Sequence, residues 1–304
     1  MNKPVINAGD ISVRSLREAG LMVTVASQGV GKSHANKILI SKYVRDNIST
    51  GVKGRKVLIF DVNGEYGTEE FGKDGIPPVL VRSIGVKDVK RWCASPVIEV
   101  RRLDLRGLHM DKKFEILNYV IEVVNKCLFV IEDINKVVLE VTHLKRIVGT
   151  IVGLRHKACD VIVSYQALRD VPPRFLSNCK WVRMHYFTGD VMDIHGKITE
   201  PEVFKIAQII VNTRYYHAVS EFKSNEIDES DFKKKRSFCV YVGTDPHKIE
   251  GAFNKEQFTD ACVKFLRMNK KRLNDEMSLT GCSQREAETN QAEQLFNQYY
   301  GNKQ

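Results

Sequence analysis

The segment Ala26-Ser-Gln-Gly-Val-Gly-Lys-Ser33 has the residue types and spacing of a phosphate-binding loop, [AG]-x-x-x-x-G-K-[ST], with alanine in the first position. Gly29 and Gly31 let the backbone curl so that successive N–H groups point at one anion. A helix beginning within the loop adds the positive end of its dipole. Lys32 is expected to reach the β- and γ-phosphates of ATP, and the Ser33 hydroxyl to bind Mg²⁺. Ser27, Gln28, Val30 and His34 complete the expected nucleotide-contacting set.

A second element of such a site is a carboxylate at the end of another buried strand. Cys127-Leu-Phe-Val-Ile-Glu-Asp133 has that form. One acid of the pair can hold the Mg²⁺ shell and the other can polarise an attacking water. Position assigns Glu132 to magnesium and Asp133 to the water.

These groups need strands to carry them and helices to cover the strands. Short β-branched runs alternate with stretches of helical period, the pattern of a mostly parallel sheet flanked by helices. Strands are predicted at 21–26, 56–60, 79–81, 97–103, 128–131, 161–164 and 181–185. Helices are predicted at 32–47, 111–126, 141–157 and 200–211. The runs 57–60 and 128–131 are apolar on both faces, as central strands must be. The fold class is therefore α/β, a RecA-like core over residues 1–222 with a small C-terminal appendage. Residues 223–237 read as a charged linker or loop and 238–276 as a small α/β unit, with a strand at 238–242 and a helix at 255–274. Residues 277–304 read as a polar arm, rich in Gln, Asn and Glu from 283 on, that is either an exposed helix or partly disordered and is available to a protein partner.

The 304 residues are 43% hydrophobic and 28% charged, an ordinary balance for a globular protein. No apolar run approaches the roughly 18 residues that span a bilayer. The N-terminus lacks the form of a signal peptide, so the expected location is the cytoplasm or a virion, without membrane insertion. Seven scattered cysteines with no C-x-x-C argue against a disulfide framework or structural zinc, and read as small core residues. The net charge is 47 − 37 = +10. From Arg82 to Lys113 nine basic residues face four acidic ones, which makes this segment, with Arg101, Arg102 and Arg106, the expected contact for a nucleic-acid backbone.

Three further segments resemble a named group. Asp61-Val-Asn-Gly-Glu-Tyr66 is similar to the D-x-x-G-E-Y signature of HerA-type ATPases. The stretch from Gly153 to Gln166 resembles the family's G-R, hydrophobic strand, T-Q segment. Residues 170–183 are similar to the approach to its next strand. The chain is thus identified with the HerA/FtsK superfamily of ring-forming DNA pumps, and its compact size fits a phage or mobile-element packaging or morphogenesis ATPase. The resemblance implies a homo-oligomeric ring of five or six subunits acting on DNA. It implies a sensor role for Gln166 at the γ-phosphate, nucleotide sensing or subunit coupling for Asp61 and Glu65, and an arginine finger, Arg155, acting in trans. Arg146, Arg169 and Arg174 are rivals for that last role. Two departures stand out: the acidic pair runs Glu-Asp rather than Asp-Glu, and Ser164-Tyr165 replaces a small residue and Thr before Gln166.

Other readings have sequence-level tests. Asp61-Val-Asn-Gly64 also fits the D-x-x-G of GTPases, but the guanine-reading N-K-x-D is missing, since Leu128 and Val138 stand where its Asp is needed. A small-molecule kinase would keep the loop but matches a Glu-Asp pair with a strand-terminal Gln poorly. An ATP-binding structural or assembly component with slow turnover is the main alternative, favoured by the reversed acids.

Overall fold

The computed structural model describes residues 19–47, 52–67, 78–138 and 141–302. Among these residues nine strands form one sheet: β1 Leu21–Val25, β2 Lys56–Asp61, β3 Val81–Ser83, β4 Val100–Asp104, β5 Cys127–Ile131, β6 Asp160–Tyr165, β7 Trp181–Met184, β8 Val240–Gly243 and β9 Ile249–Gly251. The helices are α1 Lys32–Tyr43, α2 Val89–Ala94, α3 Met110–Val123, α4 Val141–Gly153, α5 Pro173–Leu176, α6 Pro201–Lys223, α7 Glu229–Arg236, α8 Lys255–Met268, α9 Lys270–Thr280 and α10 Gln284–Tyr299.

The strand order is β3-β4-β2-β5-β6-β1-β7-β8-β9. The pairs from β3 to β7 are parallel, whereas β8 runs antiparallel to both β7 and β9. Strands β1, β2, β5 and β6 are buried at every residue, as strands with helices on both sides should be. Because β1 to β7 are parallel, their C-terminal ends share one rim of the sheet. Loops leaving that rim are where an open α/β sheet builds a ligand site.

Alternation along each strand divides the core in two. Leu21, Val23, Val25, Phe129 and Ile131 face a large apolar cluster shared with α3, α4, α6, α8 and α10. Met22, Val57, Ile59, Leu128, Val130 and Ile162 face a smaller cluster with Leu39, Ile40 and Tyr43 of α1.

The C-terminal third differs in detail from its sequence reading. Within 223–237, residues 229–236 form α7, started by Asp228, whose carboxylate accepts from the Asp231 N–H at 2.8 Å. Phe232 stacks on Phe222 of α6 at 4.6 Å, giving this charged segment an apolar anchor. Residues 238–276 supply β8 and β9 to the same sheet, because the edge of β7 offers unpaired backbone groups that β8 satisfies. The helix expected at 255–274 is two helices, broken at Asn269 with φ −105° and ψ 66°. In the polar stretch 277–304, α10 buries Ala287, Ala292, Leu295, Phe296 and Tyr299 against α8. Its buried polar residues are paired, Glu288 with Arg267 at 2.9 Å and Gln291 with Glu276 at 2.7 Å. The chain end is held at the sheet edge where Gly301 N–H donates to the Ile249 carbonyl at 2.9 Å.

All seven cysteines are free and most are buried, as small core residues. Among the described residues no helix is long and apolar enough to cross a membrane.

Candidate functional site: the phosphate loop and the acidic pair

The loop between β1 and α1 takes the conformation its glycines allow. Gly29 and Gly31 have φ of +78° and +87°, a region that L-residues with a Cβ avoid. At Gly31 a Cβ would also collide with the side chain of Ser237, the residue that follows α7. The glycine is therefore needed twice, for its backbone and for this close approach.

Ser27, Gln28, Gly29, Gly31, Lys32, Ser33 and His34 line one cavity of about 470 Å³ together with Glu65, Asp133 and Gln166. Ten of the residues expected at the site from sequence thus meet on one surface. The cavity also takes in Ala26, Asn63 and Lys136. Val30 points into the core instead and is buried. Asp61 lies beneath the site: its carboxylate accepts from the backbone N–H of Gly64 and Glu65 at 2.8 and 2.9 Å and of Tyr66 at 3.2 Å. Burial raises its pKa against those bonds and the nearby Arg102. Asp61 therefore shapes the 64–66 turn that delivers Glu65 and Tyr66.

Lys32 is held between the two acids. Its ammonium lies 3.3 Å from Glu132 Oε2 and is hydrogen-bonded to Asp133 Oδ1. Burial alone would lower the Lys32 pKa, but the two carboxylates outweigh it and hold the group above the ordinary lysine value. For Asp133, burial pushes the pKa upward, yet Lys32, Asn63 and Lys136 prevail and hold it below the usual carboxylate range. Asn63 Nδ2 donates to Asp133 Oδ2 at 2.9 Å, and the Lys136 ammonium is 3.1 Å from the same oxygen. Asp133 has φ 42° and ψ 50°, a left-handed conformation that Asp tolerates better than most residues. The turn sets its carboxylate on the cavity wall, whereas Glu132 is 1% exposed and stands behind it.

Glu132 is fixed by residues to which the sequence patterns gave no role. Its Oε1 accepts from Asn36 Nδ2 of α1 at 2.5 Å and from the Tyr66 hydroxyl. Asn36 Oδ1 in turn accepts from Nη2 of Arg183 on β7, a fully buried guanidinium. Register explains the meeting. Thr24 pairs with Ser164 on one side and with Arg183 on the other, so these three side chains share the face beneath α1. Glu132 follows the Ile131–Val163 pair and comes level with Ser164. His185, two residues beyond Arg183, is fully buried, and burial, Arg183, Lys32 and His34 keep its imidazole neutral well below the usual histidine range.

The residues present fit a magnesium nucleotide. Glu132 Oε2 is buried 3.3 Å from the Lys32 ammonium and, among the described residues, accepts no well-formed hydrogen bond, so it is open to a metal cation once Lys32 turns to the phosphates. The Ser33 hydroxyl donates to Glu65 Oε2, an interaction that a metal at the hydroxyl would replace. Among the described residues no group of three or more His, Cys, Asp or Glu makes a metal cage. Mg²⁺ needs none, since it binds through one or two protein oxygens plus phosphates and water.

Arg155 is not at this cavity. It is exposed and lines a separate groove of about 590 Å³ with Lys180, Lys197, His247 and Lys248. Of its rivals, Arg169 lies 3.8 Å from Asp170, Arg174 packs beside Gly149, and Arg146 is exposed on α4. The arginines expected to face a polyanion are largely engaged with acids: Arg101 with Glu99 at 2.8 Å, Arg102 with Asp61 and Asp104 at 3.6 and 3.5 Å, and Arg106 with Asp104 at 2.5 Å. Arg106, chiefly through its side-chain hydrogen bond, and Arg102 hold Asp104 at a pKa of about 2. Arg82, Lys87 and Lys90 of the same segment are exposed.

Residues 24–138 match the family described as helicase HerA, central domain. No curated protein matches the chain significantly. Solved structures similar to the chain include the genome packaging NTPase B204 from Sulfolobus turreted icosahedral virus 2. Its complex with AMP is 13% identical over 77% of this chain and 96% of that one, with a TM-score of 0.41. Its complex with AMPPCP is 12% identical over 77% and 96%, with a TM-score of 0.43. B204, the DNA-packaging ATPase from Sulfolobus turreted icosahedral virus, is 12% identical over 77% and 97%, also at 0.43. The matched family segment runs from β1 through the phosphate loop and the 61–66 turn to the acidic pair, so this part of the chain is similar to the HerA central domain.

Proposed function

We propose that the chain is a Mg²⁺-dependent ATPase of the HerA/FtsK type that works as a homo-oligomeric ring moving or packaging DNA. The observation that carries this reading is Lys32 bracketed by Glu132 and Asp133 on a cavity that also holds Ser33, Glu65 and Gln166. When ATP enters, the Lys32 ammonium exchanges its carboxylate partners for the β- and γ-phosphate oxygens. Asp133, relieved of that cation, is the acceptor for the attacking water's proton. Glu132 and Ser33 would hold Mg²⁺, which supplies charge neutralisation at the phosphates. The division of roles is supported by the tethering of Glu132 by Asn36 and Tyr66 and by the position of Asp133 on the cavity wall. Gln166 at the end of β6 senses the γ-phosphate.

Arg155 acts on the nucleotide of a neighbouring subunit, a role consistent with its exposure and its distance from the cavity of its own chain. A guanidinium supplied in this way stabilises charge on the transferred phosphoryl group and ties turnover to assembly. The DNA backbone is met by the 82–113 segment through its exposed cations Arg82, Lys87 and Lys90, since Arg101, Arg102 and Arg106 are engaged with acids. The second reading, an ATP-binding assembly component without a motor cycle, is favoured by one feature, the Glu-Asp order of the acids.

The test is ATP hydrolysis with and without duplex DNA, on protein whose assembly state is followed by light scattering. A motor hydrolyses faster with DNA, and Arg155→Ala abolishes the stimulation while leaving ATP affinity intact. ATP binding and assembly with no DNA-stimulated turnover would establish the second reading instead.

A further inference from the structure

The phosphate loop accounts for the triphosphate end of a nucleotide and leaves its base unassigned. With the β- and γ-phosphates on residues 29–33, only the α-phosphate and the sugar separate the loop from the base. The base must therefore fall on a surface beside the loop. At Gly31 that surface is closed by Ser237, and toward β5 it is lined by Asp133, Asn63 and Lys136. The flank at Ser27 is different in kind.

Ser27 N–H donates to the Tyr186 carbonyl at 2.9 Å, and the Thr188 N–H donates to Ser27 Oγ at 3.1 Å. The segment that follows β7 is thus bonded twice to the second residue of the phosphate loop. The Tyr186 ring it carries is stacked on Tyr215 of α6, with centroids 3.8 Å apart and planes 9° from parallel. Tyr216 stands edge-on to both at 5.7 Å, and its hydroxyl is 3.3 Å from that of Tyr186. Tyr216 is 58% exposed. The nearest carboxylate along this segment, Asp190, is paired with Lys205 at 2.5 Å.

We propose that this tyrosine cluster, with Tyr186 propped by Tyr215 and edged by Tyr216, stacks the base of the nucleotide held by the phosphate loop. The inference rests on the nucleotide-binding reading above and extends it to the nucleoside half of the ligand. Three tyrosines drawn from two distant segments make a polarisable platform whose position is tied to the loop by one backbone bond and one bond to the Ser27 hydroxyl. Such a surface recognises a base by its π-face rather than by its hydrogen-bonding edge.

The test is calorimetric titration with ATP and, separately, with inorganic tripolyphosphate, both in the presence of Mg²⁺. Tyr186→Leu keeps apolar volume but removes the aromatic face, and is expected to weaken ATP about 5- to 150-fold, the range set by losing one base stack. Tripolyphosphate affinity stays at the wild-type value, and Tyr186→Phe restores ATP. Wild-type ATP affinity in Tyr186→Leu would overturn the proposal. So would equal losses for ATP and tripolyphosphate, which would mean that Tyr186 only supports the loop. If Tyr186→Leu does not fold, ethenoadenosine triphosphate decides on the wild-type protein: stacking quenches its fluorescence on binding, and binding without quenching overturns the proposal. Failure of the phosphate-loop reading has a separate signature, wild-type protein that binds no tripolyphosphate or a Lys32→Ala variant that binds it as well.

Discussion

On the side of the sheet covered by α3, α4, α6, α8 and α10, the strands present Leu21, Val23, Val25, Phe60, Phe129, Ile131, Val163 and Val182, an unbroken apolar surface. Beneath α1 the same strands present apolar residues at one end and then a row of polar ones near the rim: Glu132, Ser164, Thr24 and Arg183. Among the described residues, Thr24 Oγ1, Ser164 Oγ, and Nε and Nη1 of Arg183 have no hydrogen-bond partner. Buried groups of this kind are costly, and proteins satisfy them with ordered water or retain them for a site. The contrast shows how one sheet divides its work: the apolar face supplies cohesion, while the α1 face gives up part of its core to hold charge beside the phosphate loop.

The sharpest way to break this contrast is to damage the apolar face alone. Phe129→Ala, at a fully buried site, should destabilise the fold by about 3–5 kcal/mol, read from urea unfolding. ATP affinity measured at low temperature, where the variant is folded, should not change. If affinity fell with stability, the two faces would not be separable.

The second effect is on the α1 face. Asn36→Leu removes the donor to Glu132 and the acceptor for Arg183 in one step. Leaving a buried guanidinium short of its partner should cost about 2–3 kcal/mol. Unlike Phe129→Ala, the variant should also lose turnover by about tenfold or more while binding ATP almost normally, because Glu132 is no longer oriented.

How far these partners could be read in advance differs between the two faces. The apolar strands β1, β2 and β5 were legible as continuous β-branched runs, and the loop and acids as motifs at their ends. The tether of Glu132 was not, because Asn36, Tyr66 and Arg183 are brought to it only by strand order and register. Arg183, read alone, resembles any surface arginine next to an apolar run. Helix α10 was hidden for a different reason: its buried positions are two alanines and a few larger residues spaced among Gln, Asn and Glu, and those polar residues find partners on α8 and α9. The motif at 61–66 named Asp61 and Glu65, but the hydroxyl that reaches the acid belongs to Tyr66.

A third prediction uses pH. His185 is neutral in the folded protein, with a pKa well below 6.5, while in the unfolded chain it protonates near 6.5. The unfolded state therefore binds more protons as pH falls, and stability declines below that point. Between pH 7 and pH 5 this group should remove up to about 2 kcal/mol. The groups that face it are Arg183, Lys32 and His34, all of which oppose its charging. Asp133, with its pKa held below the usual range, contributes stability that is lost only at still lower pH. His185→Gln should flatten the pH 5–7 slope in thermal melts, and an unchanged slope would remove His185 from the account.

The smallest effect is the most local. Tyr66→Phe deletes one hydroxyl and keeps the ring, so stability should fall by about 1–2 kcal/mol through the lost bond to Glu132. Turnover should fall less than in Asn36→Leu, because Asn36 still holds the same oxygen.

The central claim is that the α1 face is a working ATP-hydrolysing site whose water is handled by Asp133. Its most direct test is steady-state ATP hydrolysis by wild type and Asp133→Asn, with duplex DNA present and both proteins saturated with ATP. Measurable wild-type turnover is expected, with a fall of at least about a hundredfold in the variant. Equal rates in the two proteins, or no hydrolysis by the wild type, would contradict it.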